Sequence, residues 1–197
     1  MGILNVTPDS FADGGRHNEF AAAVARGIEM IAEGVDIIDI GGESTRPGAE
    51  RVSEAEEIER TIPVITELAK HGARISIDTM RASTAEAAIK AGASIINDVS
   101  GGLADPEMLQ TAARLGVPYI AMHWRGQSKD MNSKAIYNDV VIDVISELQE
   151  RITAALDAGI EVGNLIIDPG LGFAKDAEHN WEIIDSIDSF VDLGYPV

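Results

Sequence analysis

Polar side chains close short apolar runs at several points along this 197-residue chain. A carboxylate or amide at the end of a buried run is costly unless it has a hydrogen-bonding partner, so its repeated use indicates a bound ligand with polar edges. Carboxylate and amide acceptors suit a flat heterocycle that is rich in N–H donors. The residues that follow this pattern are Asn5, Asp39, Asp78, Asn97, His123 and Asp168.

Single polar residues also have structural interpretations. His123 is as consistent with a hydrogen-bonded structural group as with a catalyst, and Asp98 and Asp105 are typical of turn or helix-cap residues. For Asp78, Asn97 and Asp168 we favour ligand binding over hydrogen bonding of these side chains to one another, because three separate apolar runs end in the same way.

Cations and oxygen donors near these runs predict an anion site. Arg46, with the Thr45 hydroxyl beside it, is the first cation placed for an anionic group, although a solvated surface arginine has nearly equal weight. Lys175 and Arg125 are similar candidates. Asn5 and Asp9 supply hard oxygen ligands for a divalent cation, and Mg²⁺ held together with substrate oxygens fits them best.

The elements that carry these residues alternate between short apolar runs and amphipathic helical stretches. Six such units predict a parallel sheet with right-handed crossovers, either open and doubly wound or closed into a (β/α) barrel. Short strands with a polar exit favour the barrel, in which one face collects the exits. We therefore predict an α/β fold of the (β/α)8 TIM-barrel type, with about six βα units in a single domain, residues 1–197.

Local signals predict details of the helices. Asn18, Ser53 with Glu56, and Ser83 with Glu86 are expected to cap helices, and Asp105 with Pro106 to open one. A long helix is expected to bury the stripe Val141, Ile145, Leu148, Ile152 and Leu156.

Composition excludes several classes of function. The net charge of −18 disfavours nucleic acid and anionic membranes as partners, because both attract basic surfaces. Zero cysteines exclude disulfides, thiolate nucleophiles and thiolate metal sites. No apolar run reaches the roughly 18 residues of a membrane helix, and the first residues do not resemble a signal peptide. We expect a cytoplasmic protein.

Several segments together resemble dihydropteroate synthase, a pterin-binding family, and the Lys175 and His123–Gly126 regions resemble its actinobacterial members. The likeness runs in order along essentially the whole chain, and its first two segments are highly specific. The segments are Asn5–Phe11, Asp39–Gly48, Ile77–Thr79, Ile96–Gly101, Met122–His123 and Asp168–Phe173.

The resemblance implies a transferase of folate biosynthesis. It would condense 6-hydroxymethyl-7,8-dihydropterin pyrophosphate with 4-aminobenzoate to give 7,8-dihydropteroate and pyrophosphate, with sulfonamides as competitors and a homodimer as the family's assembly. The family needs no nucleophilic side chain, so the protein acts by positioning the substrates and stabilising charge.

The resemblance also implies roles for individual residues. The catalytic residues that hold the pterin would be Asp78, Asn97 and Asp168, with Met122 and Phe173 packing near the ring. Thr45 and Arg46 would bind the anion, and Asn5 would bind Mg²⁺. The loops that close over the aminobenzoate would contain Asp9, Ser10, Phe11, Ser44 and Pro47.

The chain departs from the family pattern at its end, where the seventh and eighth strands of the family have no counterpart. We expect a partial copy of the enzyme that turns over substrate poorly. Two alternatives stay open: a non-catalytic pterin-binding module, and a pterin-dependent methyltransferase domain, which the two specific segments disfavour.

Overall fold

The computed structural model describes residues 1–7, 15–44, 51–127 and 129–197. Strands and helices alternate along these residues, as the sequence predicts. The strands are β1 (Gly2–Asn5), β2 (Ile38–Gly41), β3 (Ile75–Asp78), β4 (Ile95–Asp98), β5 (Tyr119–Met122) and β6 (Leu165–Asp168). The helices are α1 (Gly15–Ala32), α2 (Glu54–Lys70), α3 (Ala82–Ala91), α4 (Met108–Leu115), α5 (Val140–Asp157), α6 (Ala177–Asp185) and α7 (Ile187–Val191).

The strand order follows the sequence, β1-β2-β3-β4-β5-β6. The described pairings of β1 with β2, β2 with β3, β3 with β4, and β5 with β6 are parallel. Parallel neighbours that are consecutive in sequence require a crossover between each pair, and the intervening helices supply it. The predicted α/β class with six βα units is confirmed for the described part of the chain.

The chain divides into two compact units. The described residues of the first are 1–7, 15–44 and 51–97, and those of the second are 98–127 and 129–197. The assignment of all 197 residues to one domain stays a prediction.

The first unit has a core of branched aliphatic side chains. Strands β2 and β3 bury Ile38, Ile40, Ile75 and Ile77 almost completely on one face. Asp39 and Ser76 are buried on the opposite face, so both strands are covered on both faces, as is typical of parallel strands. Helix α2 adds Val64, Ile65 and Leu68, all fully buried and spaced along one face.

The second unit packs α5 against the last two helices. Val140, Val144 and Leu148 of α5 form a cluster with Ile183 of α6 and Phe190 of α7. No helix in the described ranges is long and apolar enough to cross a membrane.

The helix starts are a mixed test of the local signals. Ser53 caps α2 as predicted, accepting a hydrogen bond from the Glu56 amide at 3.2 Å. Three other predictions are wrong: α1 begins at Gly15, ahead of Asn18; Arg81, not Ser83, occupies the N-cap of α3; and α4 begins only at Met108.

Candidate active site

The carboxyl ends of four neighbouring strands form a row in the first unit. In the parallel register, Asn5 of β1 lies beside Gly41 of β2, Gly41 beside Asp78 of β3, and Asp78 beside Asn97 of β4. Parallel strands bring their carboxyl ends to one edge of the sheet, which explains why residues distant in sequence meet here.

Gly41 leaves room in the middle of this row. A Cβ atom at position 41 would lie 3.2 Å from Asp78 Oδ2 and 3.5 Å from Asn5 Oδ1, so both polar side chains approach the space above the glycine. Both are half-buried. An amide oxygen and a carboxylate therefore border one opening that any larger residue at position 41 would narrow.

The Asn97 amide has a fixed orientation. Its Nδ2 donates to Asp39 Oδ2 at 3.0 Å, and Asp39 is 5% exposed. Because the amide nitrogen is used by Asp39, the Asn97 oxygen points away from that carboxylate as an acceptor. Asp39 therefore orients a member of the row. The sequence predicted Asp39 at the end of β2, whereas it lies two residues before the last residue of that strand.

A buried ion network lies behind the row. Glu57 of α2 is 1% exposed and accepts hydrogen bonds from Thr79 Oγ1 at 2.6 Å, from Thr84 Oγ1 at 3.1 Å and from the Arg81 guanidinium. Arg81 also pairs with Glu43 at 3.0 Å. Burial lowers the pKa of Arg81, but its pairs with Glu57 and Glu43 outweigh this effect and hold the pKa above its usual value.

The second unit has its own pair of strand ends. Met122 of β5 lies beside Asp168 of β6, and the His123 amide donates to the Asp168 carbonyl at 2.8 Å. The Asp168 side chain accepts a hydrogen bond on Oδ1 from the Gly170 amide at 2.7 Å. This bond fixes the carboxylate at the start of the turn that follows β6.

Two buried basic side chains meet beneath that turn. Lys175 Nζ lies 2.9 Å from His123 Nδ1, and the two residues are 7% and 1% exposed. Burial, reinforced by Lys175, lowers the pKa of His123 to about 4 although Glu147 opposes it. Burial also lowers the pKa of Lys175 to about 7, against the opposing effect of the Asp168 carboxylate.

Glu147 of α5 links this pair to Arg125. His123 Nε2 lies 2.9 Å from Glu147 Oε2, and Arg125 Nε donates to both carboxylate oxygens at 3.0 and 3.2 Å. Burial would raise the pKa of Glu147, but Arg125 and His123 together hold it below its usual value. Glu147 is therefore ionised at neutral pH.

Comparison with known proteins connects this geometry to a family. The model of the pterin binding enzymes matches residues 1–197. The dihydropteroate synthase of Mycobacterium leprae is 48% identical over 198 residues, which cover all of this chain and 70% of that protein. The chain belongs to the dihydropteroate synthase family. It spans about 70% of the length of that relative.

Solved structures of the family have the same fold. The Xanthomonas albilineans dihydropteroate synthase with 4-aminobenzoic acid has a TM-score of 0.93 at 46% identity, and the same enzyme in complex with 7,8-dihydropteroate has 0.88 at 42%. Both matches cover all of this chain and 70% of the other. These relatives are TIM barrels, which confirms the predicted fold type.

The structure locates about half of the residues that the family resemblance assigns. Asn5, Asp78 and Asn97 lie in the row of strand ends in the first unit, where half-buried Ser44 follows β2. In the second unit Met122 adjoins Asp168, and half-buried Phe173 lies in the turn after β6. The remaining predicted residues lie outside the described ranges: Asp9, Ser10, Phe11, Thr45, Arg46 and Pro47.

Two cations considered for the anion site have other roles in the structure. Lys175 is buried and directs Nζ at the Gly170 and Phe173 carbonyls as well as at His123. Arg125 is bound to Glu147 and lies over the Tyr137 ring, 3.8 Å from its centre. Both side chains are therefore already held by contacts within the chain, and their interpretation as anion-binding residues stays a prediction.

Asp98 is structural, as predicted. It is fully buried, and the Ser100 amide and hydroxyl, the Gly102 amide and the Tyr119 hydroxyl all donate to its carboxylate. Burial raises the pKa of Asp98 despite these bonds.

Sequence reasoning missed Glu57 and Arg81. The one available signal was that Arg81 and Thr79 directly follow the strand that carries Asp78. A charged residue among the apolar positions of an amphipathic helix does not reveal its partner, because Glu57 lies 24 residues before Arg81.

The described residues offer little for a metal ion held by protein alone. They contain no group of three or more His, Asp or Glu side chains that could bind one. Asn5 presents a single carbonyl oxygen beside Gly41. Mg²⁺ commonly takes one or two protein ligands and completes its octahedron with phosphate oxygens and water, so Asn5 fits it only as part of a ternary site.

Substitution of Gly41 by alanine tests the opening between Asn5 and Asp78. The new methyl group would lie 3.2 Å from Asp78 Oδ2 and displace the carboxylate. We expect pterin affinity, measured by calorimetry, to fall about tenfold, the equivalent of about 1.4 kcal/mol. Gly163→Ala is the matched control, because no atom lies within 4 Å of its added Cβ. Equal affinities of the two variants would contradict the role of Gly41.

Proposed function

We propose that this chain catalyses dihydropteroate formation from 6-hydroxymethyl-7,8-dihydropterin pyrophosphate and 4-aminobenzoate. The observation that carries the proposal is the row of Asn5, Gly41, Asp78 and Asn97 at the ends of adjacent strands. It supplies converging acceptors in a chain whose relatives are dihydropteroate synthases. Sulfonamides, which share the aniline group of 4-aminobenzoate, are the proposed competitors.

The first unit has the acceptors that a pterin ring requires. A carboxylate such as Asp78 accepts two parallel hydrogen bonds from the amidine-like edge of the ring. Asn97 presents its oxygen to a further ring N–H because Asp39 holds its nitrogen. We propose that both residues orient the pterin and stabilise positive charge that develops in it.

The second unit contributes a carboxylate with one oxygen already committed. Asp168 Oδ1 accepts from the Gly170 amide, and no hydrogen bond from another described residue reaches Oδ2. We propose Asp168 as a further pterin contact, with Met122 and Phe173 packing near the ring. These three assignments rest on the resemblance of the segment that contains them.

The pyrophosphate group is an anion, and this chain is acidic, so its binding requires positive charge close to the group. We propose that Thr45 and Arg46 bind this group and that Asn5 would help to hold a Mg²⁺ ion at the same site. When bound, the ion would neutralise charge on the departing pyrophosphate. We propose Asp9, Ser10, Phe11, Ser44 and Pro47 as the residues around the aminobenzoate.

The reaction then needs no nucleophilic side chain. The bond between the pterin methylene and the pyrophosphate oxygen breaks, and its electron pair leaves with pyrophosphate. The aniline nitrogen forms the new bond to the methylene carbon and loses one proton to solvent or pyrophosphate. The chain supplies orientation and charge stabilisation, which together account for large rate effects without covalent catalysis.

The decisive experiment measures pyrophosphate release with and without 4-aminobenzoate, together with mass detection of 7,8-dihydropteroate. We expect release that depends on the amine and matches the product in a one-to-one ratio. Pterin binding without amine-dependent release would instead indicate the non-catalytic module. A homodimer and a cytoplasmic location remain proposals, and sedimentation analysis and cell fractionation test them.

A further inference from the structure

The turn after β6 is held by an unusual buried cation. Lys175 Nζ donates to the Gly170 carbonyl at 3.0 Å and to the Phe173 carbonyl at 3.1 Å, and it lies 2.9 Å from His123 Nδ1. A lysine that is 7% exposed loses most of its hydration, so it persists only where acceptors replace the water. Three acceptors match the three hydrogens of an ammonium group.

The protonation states follow from the partners. Glu147 is ionised, and its Oε2 lies 2.9 Å from His123 Nε2, so that nitrogen carries the hydrogen. A neutral imidazole with hydrogen on Nε2 has a bare acceptor at Nδ1. Lys175 must therefore donate to His123, and with two carbonyls to satisfy as well it needs all three of its hydrogens.

Gly170 connects this cation to Asp168. Its amide donates to Asp168 Oδ1 at 2.7 Å while its carbonyl accepts from Lys175. Its φ angle of 70° lies in the left-handed region, and a Cβ there would approach the His123 carbonyl to 2.6 Å. The residue is thus fixed at both ends, in a conformation that only glycine adopts without strain.

The end of the turn has a strained residue that surrounding contacts hold in place. Ala174, immediately before Lys175, has a φ of 49°, which is unfavourable for a residue with a side chain. Its carbonyl accepts from the Tyr137 hydroxyl at 3.0 Å, and Arg125 lies over the Tyr137 ring while binding Glu147. Strained conformations persist where surrounding contacts over-determine them, and they concentrate at functional sites.

We propose that Lys175 is a positioning residue for Asp168: its ammonium group, shared by Gly170, Phe173 and His123, holds the turn that presents the Asp168 carboxylate to the pterin. This inference rests on the proposed function in one respect, the identification of the pterin as the ligand that Asp168 binds. Lys175 does not touch substrate and acts through Gly170. The charged and titratable groups that act on it are Asp168, His123, Glu147 and Arg125.

The test compares Lys175→Met, which keeps the length of the side chain without its donors, with Lys90→Met. Lys90 is a suitable control because its side chain is 71% exposed. We expect Lys175→Met to weaken binding of the pterin pyrophosphate about 10- to 100-fold, the range expected from a small misplacement of a binding group, and Lys90→Met to leave it unchanged.

Two measurements without ligand separate positioning from general destabilisation. Nitrogen-15 NMR of the wild type should show the hydrogen of neutral His123 on Nε2, and the pKa of His123 should rise in Lys175→Met because a neighbouring cation is removed. Exchange of the Gly170 amide hydrogen should accelerate in the variant relative to other amides of the same unit.

A pH series on the wild type avoids substitution altogether. The Lys175 pKa is about 7, so a rise in pH through that value removes one of its three hydrogens. Exchange of the Gly170 amide, corrected for its intrinsic pH dependence, should then increase. This measurement decides the inference even where Lys175→Met does not fold.

The outcomes distinguish the inference from the proposed function. Failure of the wild-type chain to bind the pterin would overturn the proposed function and, with it, this inference. Wild-type binding with equal affinity in Lys175→Met, or a Gly170 amide indifferent to the titration of Lys175, would overturn the inference alone.

Discussion

Replacement of Glu57 by alanine should lower the free energy of unfolding by about 3–5 kcal/mol, the typical cost of leaving one partner of a buried ion pair alone. Glu57 is 1% exposed and accepts hydrogen bonds from Thr79, Thr84 and Arg81. Without it, two hydroxyl groups lose a charged acceptor, and the partners that the guanidinium keeps among the described residues are Glu43 and the Val52 carbonyl. Urea denaturation at neutral pH measures the loss.

Glu54→Ala is the control for the Glu57 prediction. Glu54 is an exposed acid in the first turn of the same helix, and its removal should cost less than about 1 kcal/mol. The double variant Glu57→Met with Arg81→Met should recover most of the stability, because no unpaired charge is left buried. A loss below about 1 kcal/mol for Glu57→Ala would show that water replaces its contacts.

Two consecutive glycines stand at the end of β2, Gly41 as its last residue and Gly42 directly after it. Gly41 gives room to Asn5 and Asp78, whereas a Cβ at Gly42 would approach Thr61 Cγ2 to 2.9 Å and the Glu57 carbonyl to 3.1 Å. Gly42 is therefore required for the close approach of α2, and its carbonyl accepts from Arg60 at 2.8 Å. Each of the two glycines therefore serves a different contact.

The alternation of strands and helices was predictable because the spacing of apolar residues differs between the two. The burial of individual helix positions was not predictable. Helix α5 has apolar residues at 140 and 141 and again at 144 and 145, so helical spacing alone cannot select the buried member of each pair. We expected Val141 and Ile145 to be buried. The structure buries Val140 and Val144 in the cluster with Ile183 and Phe190, and leaves Val141 and Ile145 half-buried against the same cluster.

Tertiary contacts also overrode one capping signal. The sequence favoured Ser83 with Glu86 as the start of α3, but the helix begins at Ala82 and Arg81 takes the N-cap. The Arg81 side chain is bound to Glu57 and Glu43, so a long-range ion pair holds the residue at which the helix starts. No local rule contains that information.

The row of site residues was predictable, whereas their supports were not. Parallel topology alone places Asn5, Asp78 and Asn97 at one edge of the sheet, and the register confirms this arrangement with Gly41 between Asn5 and Asp78. The bond from Asn97 to Asp39 joins residues 58 positions apart and could not be inferred. Lys175 resembled an anion-binding cation because sequence shows its charge but neither its burial nor its three acceptors.

Removal of the Asp78 carboxylate should have the largest effect on catalysis among the described residues. Under the proposed function this side chain accepts paired hydrogen bonds from the pterin. Hydrogen bonds to a charged group contribute about 1.5–3 kcal/mol each, and water that enters the emptied site offsets about half of the loss of the pair. We expect Asp78→Ala to weaken pterin binding by about 10- to 100-fold. The loss in kcat/KM should be larger, about 10²–10³-fold, because the carboxylate also stabilises charge in the transition state.

Asp78→Asn sharpens the prediction about the Asp78 carboxylate, since it keeps the shape and replaces one acceptor by a donor. It should bind the pterin no better than Asp78→Ala, because the new amide hydrogens face ring N–H groups. The KM for 4-aminobenzoate should change little in either variant, and Asp185→Asn, an exposed position in α6, should behave as wild type. Retention of wild-type pterin affinity in Asp78→Asn would show that shape alone, without paired acceptance by a carboxylate, holds the ring.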